Sequence, residues 1–452
     1  MERVLIKNLR NEVGNEVVIA GNVKVLRNQS KIAFLEIEDR SGRVQGVVFA
    51  KPEVKSICDN LKEESAVEIG GIVKEREDSQ KNDKVENGDL ELEITSITIL
   101  NASESLPFEL DGDINLDTNL DNRPLTLKRR REKAIFRVQS TILSAFRNFL
   151  LENDFVEFQA PKLVGGDAEG GAEVFNVDYF KEGKASLATS PQLYKQIMVG
   201  VFERVFAVGQ TFRAEKSATT RHLSEISMLD LEMGFIEDHS DVIALVNGLV
   251  RHISTTVADS CASELKTLNI GAPLTPEQIP IMTLREVQEI IKTQLGNDKT
   301  GEPDLDPEDE RFICQYAKEN LASDWIFVTH YPVSKRPFYT AVDPNNKELT
   351  LSFDLLFRGL EMCSGGMRIH KKDELVGKLQ AKGLDPRKFA FYLQAFEYGI
   401  PPHGGIGMGL ERLTMKFCGL ENIREASLFP RDMNRIDTLL SKEKQNEADS
   451  NE

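Results

Sequence analysis

The stretch that decides the fold runs from Phe212 to Glu232: Phe212-Arg213-Ala214-Glu215, then Thr220-Arg221-His222-Leu223-Ser224-Glu225, then Leu229-Asp230-Leu231-Glu232. Arginines, a histidine and carboxylates are interleaved here with hydrophobic and small residues, which a freely solvated surface does not require. An arginine presents a planar fork to a phosphate, and acids beside it keep that fork oriented. A structural ion-pair network on a hairpin would use the same residues, so this block alone leaves both readings open.

Three other blocks carry chemistry. His403-Gly404-Gly405-Ile406-Gly407-Met408-Gly409-Leu410-Glu411-Arg412-Leu413 places glycines where a backbone can approach a ligand without Cβ clashes, and then continues as a helix. Its glycine spacing is not that of the dinucleotide fingerprint, and the chain has no GxxxxGK[ST] phosphate loop. Ser190-Pro191-Gln192-Leu193-Tyr194-Lys195-Gln196 is the second block. Phe353 to His370, the third, contains Asp354, Glu361, Ser364 and Arg368. Asp354 and Glu361 are hard oxygen ligands able to hold Mg²⁺ between ATP phosphates, although a single carboxylate can equally be structural.

The rest of the chain sets the frame. Its 452 residues exceed the usual span of one hydrophobic core, and 40% hydrophobic with 29% charged residues is an ordinary globular balance. No apolar run approaches the roughly 18 residues of a membrane span, so no membrane association is expected. Five scattered cysteines without a CxxC pair fit a reducing cytoplasmic setting rather than a disulfide or zinc framework. A net charge of −17 argues against global electrostatic capture of nucleic acid, so any such site must be local. Lys128-Arg129-Arg130-Arg131 is one basic cluster, which can also be a solvated helix start.

Residues 15–27, 31–49, 66–74 and 90–100 alternate apolar and polar residues, with a turn at Asp39-Arg40-Ser41-Gly42. They predict an all-β N-terminal barrel of the OB type over 1–104. The Asp-, Asn- and Pro-rich segment 105–132 reads as a hinge or connector without regular structure. From Lys133 the period becomes helical through Ile135, Val138, Ile142, Ala145 and Phe149, ending near Asn153-Asp154 and opening a large α+β domain over 133–435. The polar stretch 436–452 reads as a disordered tail.

Together the blocks resemble the class II aminoacyl-tRNA synthetases over nearly the whole chain. Phe155 to Pro161 after its helix is similar to motif 1, Phe212 to Glu215 with Arg221 to motif 2, and Gly407 to Arg412 to motif 3. The resemblance implies a catalytic domain with an antiparallel sheet, and a barrel like the anticodon-binding OB-fold of the aspartate, asparagine and lysine subgroup. Ser190 to Gln196 is similar to the aspartyl form, in which Lys195 and Arg368 would face the substrate β-carboxylate. On this reasoning neutral asparagine would leave two buried cations poorly compensated, a penalty of ~3–5 kcal/mol. The absence of a large insertion between motifs 2 and 3 resembles the compact, archaeal-type form.

The resemblance further implies ATP and Mg²⁺, L-aspartate, tRNA for aspartate with tRNA for asparagine left open, and a homodimer built on motif 1. The aspartate ammonium would face Asp230, Gln192 and Glu169 of a closing loop, with Ser364 also contacting the amino acid. Arg213 would hold the α-phosphate, Arg221 and His222 the outer phosphates, and Arg412 the γ-phosphate while stacking on adenine, with Glu215, Leu223, Glu361 and Gly409 also in the ATP site. Arg213, Glu215 and Arg412 are the implied catalytic set. Mg²⁺ would bind Glu361 and Ser364, with Asp354 nearby. An ionised α-carboxylate attacks the α-phosphorus without a general base. In the barrel, Phe34 would stack an anticodon base and Gln45 read base edges.

Met367, Ile226 and Asn22 depart from the family pattern, standing where a glutamine, an aromatic residue and a tryptophan are usual. Three rivals share the scaffold: an asparaginyl enzyme, disfavoured by Lys195, an asparagine-forming paralogue, disfavoured by the intact barrel, and a non-catalytic RNA-binding paralogue, disfavoured by retention of Arg213, Glu361, Arg368 and Arg412.

Overall fold

The computed structural model describes residues 2–49, 51–82, 86–165, 173–180, 183–216 and 219–436. They belong to two compact units, Met1–Asp113 and Ile114–Glu452, divided within the segment 105–132.

In the first unit, β1 (Glu16–Asn28), β2 (Ile32–Asp39), β3 (Gly42–Phe49), β4 (Ala66–Glu75) and β5 (Leu90–Asn101) form a closed barrel in the order β1-β2-β3-β5-β4. The period-2 pattern decides which side chains fill it. Ala33, Leu35 and Ile37 are fully buried, while Phe34, Glu36 and Glu38 alternate onto the outer face. Asp39 shapes the β2–β3 turn, its Oδ1 accepting from Ser41 N at 2.7 Å and Ser41 Oγ at 2.6 Å. A short helix α1 (Pro52–Cys58) begins on Pro52 and adds Val54 and Cys58 to the core. Parallel pairing of Gly46 with Leu92 closes the cylinder, which removes free sheet edges. Asn22 donates its amide to Glu64 O at 3.0 Å, a polar role that the expected tryptophan could not fill in the same way.

The segment expected to lack regular structure contains two helices, α2 (Leu116–Asp121) and α3 (Arg123–Thr126). The residues that suggested a loop are helix starters here. Asn115 caps α2 by accepting from Thr118 N at 2.8 Å, and Pro124 occupies the first turn of α3. Buried Arg123 then donates to Ser427 O and Leu428 O, both at 2.8 Å, tying this segment to the end of the second unit.

Helix α4 (Arg130–Glu152) starts slightly before the expected Lys133. The basic cluster at its start is an ion-pair network: Arg129 and Arg131 each place Nη1 3.3 Å from Oε1 of fully buried Glu132, and Arg131 also reaches Glu425 at 2.7 Å. Helices α5 (Gln192–Phe202) and α6 (His239–Ser260) follow.

The strands of the second unit are β6 (Val156–Glu157), β7 (Leu163–Val164), β8 (Asn176–Tyr179), β9 (Gly183–Leu187), β10 (Arg204–Phe212), β11 (Glu225–Gly234), β12 (Ile281–Thr283), β13 (Trp325–Thr329), β14 (Ser352–Phe357), β15 (Leu360–Met367) and β16 (His403–Gly409). Eight of them form one sheet, β12-β13-β14-β15-β16-β11-β10-β6, and β7-β9-β8 form a smaller one. The large sheet is antiparallel except for the β6–β10 and β12–β13 pairs. Leu229 and Leu231 of β11 enter the main core with Val138, Ile142 and Phe146 of α4 and Val246 and Val250 of α6. By alternation, Asp230 and Glu232 fall on the opposite face, where the chemistry collects.

Candidate active site

One rung across the large sheet organises the site. Asp230 is paired with Ala207 on one side and Gly407 on the other, Gly407 with Ser364, and Ser364 with Asp354. Paired residues share a face, so three of the four blocks meet on a single surface, and the fourth, Ser190 to Gln196, reaches it from the start of α5. The adjacent same-face rung joins Glu232, Gly405, Gly366 and Ser352.

Glu232 anchors an ion cluster beneath that surface. Lys195 is fully buried, its Nζ donating to Asp230 Oδ1 at 2.9 Å and Ile406 O at 2.7 Å, with Glu232 Oε2 at 3.3 Å. Arg368 donates from Nε to Glu232 Oε1 at 2.8 Å and from Nη2 to Gly405 O at 2.9 Å. Burial pushes the Glu232 pKa up, but Arg368 and Lys195 outweigh it and hold the carboxylate below its usual range. For Asp230 burial outweighs Lys195 and the shift is upward. Gly405 is required here: a Cβ would lie 2.4 Å from Glu232 Oε2 and 2.1 Å from Leu231 O. This glycine makes room for the protein's own carboxylate, not for a ligand alone.

The cluster corrects one expectation. A neutral substrate side chain does not leave Lys195 and Arg368 uncompensated, because Asp230 and Glu232 already compensate them. What remains is donor capacity. Among the described residues no acceptor engages Arg368 Nη1, so the cluster keeps an N–H donor in reserve for a side-chain oxygen.

Above the cluster lies a cleft of about 270 Å³ lined by Gln192, Arg213, Glu215, Arg221, His222, Leu223, Asp230, Glu361, Ser364, Gly409 and Arg412. Arg213 and Arg412 therefore share one cavity. Two buried polar atoms of this lining lack protein partners, Asp230 Oδ2 and Gln192 Nε2. An acceptor and a donor left open in one cleft suit an amino acid carrying both an ammonium and a carboxylate. Arg412 is steered by Glu361, with Nη1 to the backbone O at 3.1 Å. Arg221 is held by Glu310 at 3.4 Å, and His222 Nδ1 lies 2.6 Å from Thr219 Oγ1. Burial lowers the pKa of His222.

Lys195, Arg368 and Asp354 do not line this cleft. Asp354 faces an adjoining cavity of about 290 Å³ that shares Glu361 and Ser364 with it. Ser364 Oγ lies 2.7 Å from Asp354 Oδ1 and 2.9 Å from Glu361 Oε1, while Arg336 Nη2 donates to Asp354 Oδ2 at 2.8 Å. Burial, then the charge of Asp354, raises the Glu361 pKa. Crowded carboxylates resisting ionisation fit a hard divalent cation. Among the described residues no three His, Cys, Asp or Glu side chains form a complete metal cage, so such an ion would take further oxygens from phosphates and water.

Glu169 lies outside the described residues. Phe34 is half-buried on the outer face of the barrel, paired with Arg27 and Val47, and Gln45 on the same face donates to Glu91 at 3.3 Å. Sequence reasoning gave Glu232 no role of its own and passed over Glu310 and Arg336. Glu232 was findable, because it stands two strand positions from Asp230 and shares its face. Glu310, within the helix Pro307–Leu321, and Arg336, in a loop, are brought in by tertiary packing alone. Ile226, where an aromatic was expected, lines the cleft.

Residues 115–433 match the family described as tRNA synthetases class II (D, K and N), and residues 17–100 the OB-fold nucleic acid binding domain. The aspartate–tRNA(Asp/Asn) ligase of Thermus thermophilus is 44% identical over 96% of this chain and 99% of its own. The aspartate–tRNA(Asp) ligase of Thermococcus kodakarensis is 40% identical over 94% and 96%. The crystal structure of asparaginyl-tRNA synthetase from Pyrococcus horikoshii with asparaginyl-adenylate superposes with a TM-score of 0.89 at 29% identity, covering 96% of this chain and 99% of that one. With motif-bearing strands converging on one cleft and sequence identity spanning both units, the chain belongs to the class II tRNA synthetases of the D, K and N group and is an aminoacyl-tRNA-forming enzyme.

Proposed function

We propose that the enzyme is an aspartate–tRNA ligase: it activates L-aspartate with ATP to aspartyl-adenylate, releases diphosphate, and transfers the aspartyl group to the 3′-terminal adenosine of tRNA. The observation that supports this reading is the Lys195–Asp230–Glu232–Arg368 cluster, which fixes both cations and leaves Arg368 Nη1 without an acceptor among the described residues. The open Asp230 Oδ2 is the acceptor for the substrate ammonium. Arg213 stabilises charge developing on the α-phosphate, and Arg221, His222 and Arg412 hold the outer phosphates, so catalysis is alignment plus charge stabilisation. Mg²⁺, when bound by Glu361 and Ser364 with Asp354 behind them, would neutralise phosphate charge.

The proposal includes charging of tRNA for asparagine as well, supported by the name of the Thermus relative. It also includes a cytoplasmic homodimer. Edge strand β6 leaves Val156 exposed, and Leu151, Phe202 and Phe235 are exposed large apolar residues of the same unit. All five cysteines are free. Charging of purified tRNA for aspartate and tRNA for asparagine with labelled aspartate tests the transfer step. Aspartylation of both is expected, and aspartylation of neither removes the reading. A monomer in sedimentation would remove the dimer.

A further inference from the structure

Gly209 of β10 has an unusual neighbour. Along β10, Ala207 pairs with Asp230 and Gly209 with Met228, and both Asp230 and Met228 line the cleft. The bare side of Gly209 therefore lies on the same sheet face, at the margin of the cleft beside these two lining residues. A Cβ built there would lie 2.9 Å from Lys162 Nζ and 3.3 Å from Lys162 Cε. The end of the lysine side chain thus occupies the space that a side chain at 209 would fill.

Lys162 is anchored by its backbone, its carbonyl accepting from Ala188 N at 2.9 Å just before β7 begins. Burial lowers its pKa, and among the described residues the charge that acts on it in return is Asp230. No described carboxylate forms an ion pair with it, in contrast to Lys195 and Arg368. Those two cations and their two anions sum to zero. An aspartate with two carboxylates and one ammonium brings a net negative charge that this cluster does not offset.

We propose that Lys162 binds the α-carboxylate of the amino-acid substrate, the group that attacks ATP. The inference rests on the reading above, in which the ammonium sits at Asp230 and the α-phosphate at Arg213. The reacting carboxylate must lie between them, and along β10 the order is Ala207 beside Asp230, then Gly209 beneath Lys162, then the strand end leading to Arg213. An ammonium there offsets repulsion between carboxylate and triphosphate while fixing the direction of attack. It serves the carboxylate common to all amino acids, so it supports activation without selecting the side chain.

The test is calorimetric titration of the full-length wild type, Lys162→Met and Lys162→Arg with two ligands. One is L-aspartate. The other is 3-amino-4-hydroxybutanoate, which keeps the amine and β-carboxylate but carries a hydroxymethyl group for the α-carboxylate. Lys162→Met should lose about 10- to 100-fold in aspartate affinity, the range of one charge-assisted hydrogen bond, with the alcohol's affinity unchanged. Lys162→Arg should recover part of the loss. Equal weakening of both ligands would overturn the assignment in favour of a structural or side-chain role. Unchanged aspartate affinity with a raised KM for ATP or tRNA would also overturn it. A wild type that binds neither ligand would overturn the aspartate reading itself, an outcome distinct from the other two.

Discussion

Arg368 and Lys195 are joined through Glu232, whose Oε1 accepts from Arg368 Nε at 2.8 Å while its Oε2 stands 3.3 Å from Lys195 Nζ. The cations of the pocket are therefore fixed before any substrate arrives. Removing one charge from a buried set leaves the others unpaired, which costs more than the pair contributes. Glu232→Gln should destabilise the catalytic unit by about 3–5 kcal/mol. Denaturant unfolding checks this, and an unchanged midpoint would show that the cluster is not electrostatically coupled.

Arg213 has a different character. It is half-buried, lines the cleft and is held by no side-chain acceptor among the described residues, so its charge is available to the α-phosphate. Arg213→Ala should lower the rate of amino-acid-dependent ATP–diphosphate exchange by about 10²- to 10³-fold, with little effect on stability. Exchange within a factor of a few of wild type would remove Arg213 from the reaction.

The barrel should act on tRNA alone. Phe34 occupies the outer face beside Arg27, where a single-stranded base can stack. Loss of stacking of ~1–3 kcal/mol predicts that Phe34→Ala raises the KM for tRNA roughly 5- to 150-fold while leaving exchange untouched. Steady-state charging kinetics test this. A variant with normal tRNA KM, or with impaired exchange, would speak against the base-stacking role.

His403 links the pocket to pH. It is fully buried, Nδ1 lies 2.8 Å from Pro401 O, and burial depresses its pKa to about 4. Because the unfolded chain binds this proton near pH 6.5 and the folded protein does not, stability is lost as pH falls below about 6.5. The loss levels off below about 4 and amounts to roughly 3 kcal/mol. His403→Gln should show a shallower loss of melting temperature between pH 7 and pH 5 than wild type. Parallel pH slopes would contradict the depressed pKa.

Much of this was legible in the chain because strand periodicity is local. Ala33, Leu35 and Ile37 announce the barrel interior, and Leu229-Asp230-Leu231-Glu232 separates core from site by alternation alone. The helices at 116–126 were missed because Asn115 and Pro124 have the same local chemistry at a helix start as in a loop; the carbonyls that hold Arg123 lie some 300 residues downstream. The compensation of Lys195 was missed for a related reason. A charge can be read from one residue, but its neutralisation depends on the register of β11 against β16 and on the room that Gly405 leaves. Arg336 beside Asp354 and Lys162 over Gly209 are likewise products of packing.

The central claim is that one cleft activates an acidic amino acid with ATP. The most direct test is ATP–diphosphate exchange by the purified enzyme with L-aspartate and L-asparagine in parallel. Exchange should depend on aspartate and fall by at least about a hundredfold with asparagine, as expected where donor N–H groups meet the NH₂ of a carboxamide in place of a carboxylate oxygen. Exchange that asparagine supports as well as aspartate, or that neither supports, would contradict the account.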